Sequence, residues 1–106
     1  LHLHSFHGRG TLGGVLPPSW LVNYIENCAQ KNKIPIQRSS VVGVITDGAF
    51  TQHLNYGIPT VEVGFPVRYT HCPIEVCSLN DLNDLVNLIN KISKDFCNFY
   101  SKQSFE

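Results

Sequence analysis

The polar run Arg68-Tyr69-Thr70-His71-Cys72-Pro73-Ile74-Glu75 is where this sequence most plainly carries chemistry. The neutral imidazole of His71 is a borderline-soft nitrogen donor of the kind that zinc and related metals take, and its second ring nitrogen is free to donate to an acceptor that fixes the tautomer. Imidazole is common at metals without being diagnostic of them, so an ordinary loop histidine is the alternative. Arg68 offers a planar fork suited to a peptide carboxylate, and a structural salt bridge uses the same geometry.

Three other groups of residues call for the same weighing. Thr46-Asp47 precedes a segment of helical character, so Asp47 is either a helix cap or a direct contact to substrate. His2, His4 and His7 cluster near the start. The first two share a face if the segment is a strand, which is the arrangement of a metal site, although segment ends are often loosely ordered. Cys72 and Cys77 follow His71, but their spacing is not that of a zinc finger.

Regular elements must position these groups. After Pro17-Pro18, the residues Leu21, Tyr24, Ile25, Cys28 and Ala29 recur on one helical face, and Lys31, Lys33 and Pro35 end it, so a helix is expected over about 18 to 32. Ile34 to Gln37 and Val41 to Ile45 read as two strands or one interrupted strand. A short helix should fill Gly48 to Tyr56, with Thr46 or Asp47 as its cap and Gly57 and Pro59 as its stop. Thr60 to Phe65 reads as a strand ended by Pro66. Ser78-Leu79-Asn80-Asp81 resembles a capping box ahead of the stripe Leu82, Leu85, Val86, Ile89, Ile92 and Phe96. Alternating strands and helices imply a mainly parallel sheet flanked by helices, with ligands at the loops beyond the strand C-termini.

Composition narrows the classes of function. The 106 residues are 42% apolar and 15% charged, a balance that suits a folded domain with a modest core. Eight basic residues balance eight acidic ones, so no broad positive field exists to gather nucleic acid or anionic lipid. No apolar run approaches the roughly 20 residues that span a bilayer, no signal-peptide pattern opens the chain, and a cytoplasmic protein is expected. The four cysteines, Cys28, Cys72, Cys77 and Cys97, are scattered through segments of regular character and are expected to be reduced. A chain that starts at Leu1 and has no methionine is expected to be a piece of a longer polypeptide.

Thr46-Asp47-Gly48-Ala49, Gly57-Ile58-Pro59-Thr60-Val61 and Pro66 to Val76 together resemble the metal-dependent deblocking or glutamyl aminopeptidases that form tetrahedral particles. The likeness runs from about Ser19 to about Ile92, and the Arg-Tyr-x-His-x-Pro-x-Glu run is its specific part. It implies the C-terminal portion of a zinc-exopeptidase-like catalytic domain, a three-layer α/β sandwich, with residues 1–17 left unassigned. It also implies that His71 is a terminal ligand to one of two neighbouring divalent ions, zinc or cobalt. Glu75 is then a candidate partner for the other imidazole nitrogen, or makes a structural hydrogen bond. Asp47 and Arg68 become candidate substrate-binding residues.

In that family a bridging water becomes a hydroxide near neutral pH and attacks the scissile carbonyl with help from a carboxylate base. The other ligands and the base lie upstream of the matched region, and residues 1 to 20 hold no equivalents. Two departures stand out: Gly43-Val44-Ile45 replaces a glycine-rich run, and Cys72 stands where serine is common. The resemblance implies peptide substrates, a missing upstream part of the domain and a homo-oligomer. The alternative is a non-catalytic α/β assembly module whose exposed strand edges favour association.

Overall fold

The strand nearest the chain's start, β1 (His2–Gly8), forms the centre of the sheet. The computed structural model describes residues 1–8 and 13–101; the side chain of His7 lies outside the described residues. Along one edge β1 pairs in parallel with β3 (Gln37–Val42), with a register shift between His4 and Phe6. Its other edge carries two short antiparallel partners, β2 (Gly14–Val15) at Gly8 and β4 (Val63–Gly64) at Leu3. A separate antiparallel hairpin joins β5 (Val67–Arg68) to β6 (Val76–Cys77). Residues 1–8 therefore have an ordered and central place that their sequence did not suggest.

The parallel step from β1 to β3 is made by α1 (Ser19–Lys31), close to its expected span. Pro18 starts the helix without a side-chain cap, its carbonyl accepting from the amides of Leu21 and Val22 at 3.1 and 3.2 Å. The end is a Schellman arrangement. Lys33 adopts φ 56°, its amide donates to Gln30 O, and the amide of Ile34 donates to Ala29 O at 2.9 Å. Ile34 is buried just beyond the turn, giving the apolar contact that usually accompanies this motif.

Leu1 and Leu3 face the helices and join Leu21, Val22, Ile25, Ala29, Ile34 and Leu88 in one core. His2 and His4 point to the opposite face of the strand, as the period of two requires. The last helix, α3 (Leu79–Ser101), divides the expected apolar stripe. Leu85, Ile92, Phe96 and Phe99 pack against the core around buried Leu88, whereas Leu82, Val86 and Ile89 are exposed. Tyr24 of α1 stacks on Phe99 at 4.2 Å between centroids and meets Phe96 edge-on at 5.4 Å, which joins the two helices through aromatic surface.

Several expectations are corrected. The sheet is mixed rather than mainly parallel, and among the described residues α1 and α3 pack together on one face of it. Parallel pairing needs a crossover of about a dozen residues or more. Between β3 and β4 the only helix is α2 (Gly48–Thr51), too short to carry the chain across, and β4 returns antiparallel. α2 ends at Thr51, well before the expected end at Tyr56, and left-handed backbone at Asn55, Tyr56 and Gly57 keeps right-handed winding from resuming. Of Thr60 to Phe65 only Val63–Gly64 pairs as strand, with Glu62 O also accepting from His4 N at 3.1 Å. The two candidate strands between 34 and 45 are one, ending where Gly43 turns at φ 103°.

Burial, followed by the nearby Asp95 carboxylate, pushes the Tyr24 hydroxyl up to about 12 from 10.0. The neutral phenol is thus the form that folding favours, and its contribution is complete below the unfolded pKa and lost as pH rises through the folded one. We expect wild type to lose stability relative to Tyr24→Phe across pH 10.0 to about 12, read from denaturant midpoints. Parallel pH profiles of the two proteins would contradict the assignment.

Candidate metal-ligand loop and the Thr-Asp turn

His71 stands near the tip of the loop between β5 and β6, fully on the solvent side. Its backbone has φ 62°, as does that of Tyr69, a left-handed conformation that costs a non-glycine residue about 1–3 kcal/mol and tends to mark functional loops. Two hydrogen bonds hold the shape: Cys72 N donates to Tyr69 O at 3.1 Å, and His71 N donates to Glu75 Oε1 at 2.6 Å. Glu75 therefore grips the backbone of His71, fixing the direction in which the imidazole leaves the chain. Arg68 is exposed on β5 and shares a depression of about 300 Å³ with Cys77, Ser78 and Asp81.

Beside this loop lies a groove of about 520 Å³ lined by His2, His4, Ser39, Val41, Phe65 and Thr70. The His2 and His4 rings are nearly parallel, 6.4 Å apart at 21°. His2 Nδ1 lies 3.1 Å from Gln37 Nε2, and His4 Nδ1 lies 3.3 Å from Ser39 Oγ.

Asp47 lies in the turn between β3 and α2. Its backbone is already helical, φ −60° and ψ −25°, rather than in the extended region from which a side chain reaches back to cap. No side-chain cap bond forms; the Asp47 carbonyl accepts instead from Phe50 N, Thr51 N and Thr51 Oγ1, each at 3.0 Å. The expected Thr46 cap is replaced as well, because the Thr46 hydroxyl donates to the Glu62 carboxylate. Gln52 ties α2 to the segment around β2, receiving Leu16 N at 3.2 Å and donating to the carbonyls of Gly14 and Ala49. Glu62 and Gln52 escaped the sequence reading because side-chain bonds across 16 to 38 residues leave no periodic trace.

Gly48 sits directly over Glu62. A Cβ there would collide with Glu62 Oε1 and come within 3.0 Å of Val15 Cγ2 and 3.2 Å of Thr60 Cγ2. Gly48→Ala is expected to destabilise the chain by about 1–3 kcal/mol, in the manner of overpacking, and to loosen the Thr46–Glu62 bond. Equal denaturant midpoints for the two proteins would rule out the close packing of this turn.

Among the described residues no three or more histidine, cysteine, aspartate or glutamate side chains gather in a way that holds a metal ion. The loop presents one imidazole donor, which fits a ligand contributed to a larger centre and does not fit a centre complete in itself. Cys72 and Cys77 are free and exposed, and Cys28 is free and buried.

The mixed sheet with its two covering helices superposes on a part of solved aminopeptidases. The chain superposes on the aminopeptidase APDkam598 of Desulfurococcus kamchatkensis with TM-score 0.78 at 26% identity, covering 86% of this chain and 25% of that one. The TET aminopeptidase of Thaumarchaeota archaeon SCGC AB-539-E09 gives TM-score 0.76 at 24% identity, over 86% of this chain and 24% of that one. PhTET1-12s, a dodecamer, gives TM-score 0.66 at 25% identity, over 87% and 26%.

Residues 11–88 match the M42 glutamyl aminopeptidase family, and the chain belongs to that family. It is 45% identical over 78 residues to the Escherichia coli K12 protein named Putative aminopeptidase SgcX, covering 74% of this chain and 21% of SgcX. A similarly named protein of Acetivibrio thermocellus is 34% identical over 58 residues, or 55% of this chain and 18% of its own length. The chain thus spans about a fifth of the length of the curated relatives it matches.

Proposed function

We propose that this chain is the C-terminal part of the catalytic domain of a dinuclear-metal aminopeptidase that removes N-terminal residues from peptides, and that it is inactive alone. The observation that carries this reading is the family match over 11–88 combined with a single exposed histidine on a braced, left-handed loop. His71 supplies one terminal metal ligand; the remaining ligands and the general base come from residues outside this chain. A metal pair, zinc or cobalt, would supply a hydroxide nucleophile near neutral pH.

Within this chain Glu75 sets the aim of His71 by holding its amide. Arg68, whose fork suits a carboxylate, and Asp47, whose side chain is not engaged in capping, are the groups offered to the peptide. The protein acts in the cytoplasm as a homo-oligomer under this reading. No described helix is long and apolar enough to cross a membrane.

The test is peptidase assay of the complete polypeptide that carries this segment. Stepwise release of N-terminal residues, abolished by a chelator and restored by zinc or cobalt, is expected. Internal cleavage, or release indifferent to the chelator, would reject the proposal.

A second reading, assembly without catalysis, draws on the surface. Among the described residues no strand pairs with the outer edge of β3, and Val42, Leu79, Val86 and Ile89 are each more than half exposed. It expects the isolated chain to associate, whereas a monodisperse monomer counts against it.

A further inference from the structure

A cavity of about 630 Å³ lies away from the His71 loop, between α1 and α3. That size falls in the range of about 300–1,000 Å³ typical of small-molecule sites. Its apolar wall is aromatic: Tyr24 and Phe99 are stacked at 4.2 Å, and Trp20 lies 6.3 Å from Phe99 at 27°. Its polar wall holds Lys31, Lys91 and Asp95.

The three charges are not equivalent. Asp95 already has a donor, the Tyr24 hydroxyl at 3.4 Å. Neither lysine forms an ion pair among the described residues, so two cations face one engaged carboxylate. All three act at the cavity floor, where burial and Asp95 push the Cys28 thiol up while Lys31 and Lys91 pull it down. Lys91, Asp95 and Phe99, three of the ten residues that line the cavity, lie beyond residue 88, where the family match ends.

We propose that this cavity binds a small aromatic carboxylate, its ring against Trp20 and Phe99 and its anion at Lys31 and Lys91. Flat apolar surface recognises the ring, and the excess of positive charge selects the carboxylate. A free aromatic amino acid and a simple aryl-alkanoic acid share this chemistry; the amino group of the former would face Asp95. The site is separate from the peptidase reading and stands whether or not that reading does.

Trp20 is the sole tryptophan, so its fluorescence reports on the cavity directly. The chain is titrated with 3-phenylpropionate, phenylalanine and phenylalanine amide. Saturable change with the two carboxylates, about tenfold weaker for the amide, is expected from loss of one charge-assisted contact. The double variant Lys31→Gln/Lys91→Gln, altered only at exposed positions, should weaken 3-phenylpropionate by a similar factor. Tighter binding of phenylalanine than of 3-phenylpropionate would support the amino-acid form, and the reverse order the simple acid. No saturable change, an equal response to the amide, or full binding by the double variant would overturn the proposal.

Discussion

In the complete polypeptide that carries this segment, His71→Ala is expected to remove one of two bound metal ions per chain and nearly all peptidase activity. A residue that merely supports a metal ligand costs about 10–100-fold in affinity or activity when removed, and loss of the ligand itself should exceed that. The geometry sharpens the comparison. Glu75 accepts the amide of His71 at 2.6 Å and so acts on the imidazole only through the backbone. Glu75→Gln, which keeps an acceptor oxygen, should retain most metal and activity, while Glu75→Ala should fall between it and His71→Ala. Elemental analysis beside initial rates reads both quantities. Full metal content with unchanged rates in His71→Ala would remove the residue from the site.

The second large effect concerns the centre of the sheet. Leu3 is completely buried in β1, among Leu21, Ile25, Ala29 and Leu88. Its deletion to alanine should cost about 2–5 kcal/mol, because the surrounding helices relax only partly into the space. A domain of this size has only about 5–15 kcal/mol of stability to lose. Leu3→Ala should therefore shift the denaturant midpoint sharply or leave the chain unfolded at ambient temperature. Val86→Ala, at a position 52% exposed, should stay within about 0.5 kcal/mol of wild type. Similar midpoints for the two variants would mean that β1 is not the core strand.

Much of this architecture is legible in the residues themselves. The 3.6-residue spacing of Leu21, Ile25, Cys28 and Ala29 marks α1, and Pro17-Pro18 and Pro35 bound it within a residue or two. The stripe and the polar Ser78-Leu79-Asn80-Asp81 start mark α3. What periodicity cannot show is which half of a broad stripe finds a partner, so Leu82, Val86 and Ile89 looked like core and are exposed. Nor does it reveal strand direction, which was inferred from element order and failed where α2 proved only four residues long.

The site was legible in a different way. The Arg68 to Glu75 run stands out by residue type, and the family resemblance that it carries is shown by the match over 11–88. Its backbone was not legible, since left-handed conformations such as those at Tyr69 and His71 are uncommon at non-glycine residues. Glu62, which receives the Thr46 hydroxyl, was missed because its partner lies 16 residues away, in the loop before α2. The sequence leaves β1 as one option because a run rich in histidine has no conventional strand signature, yet Leu1 and Leu3 alternate with His2 and His4 as a half-buried strand must.

The central claim is that this chain holds one ligand of a metal centre whose remainder lies elsewhere. Calorimetric zinc titration of the 106-residue chain, beside His71→Ala and His2→Ala/His4→Ala, tests it most directly. Weak binding at the millimolar level expected of isolated imidazoles is the predicted result. Tight, stoichiometric zinc binding that disappears in His71→Ala alone would contradict it, showing that this chain builds a complete site.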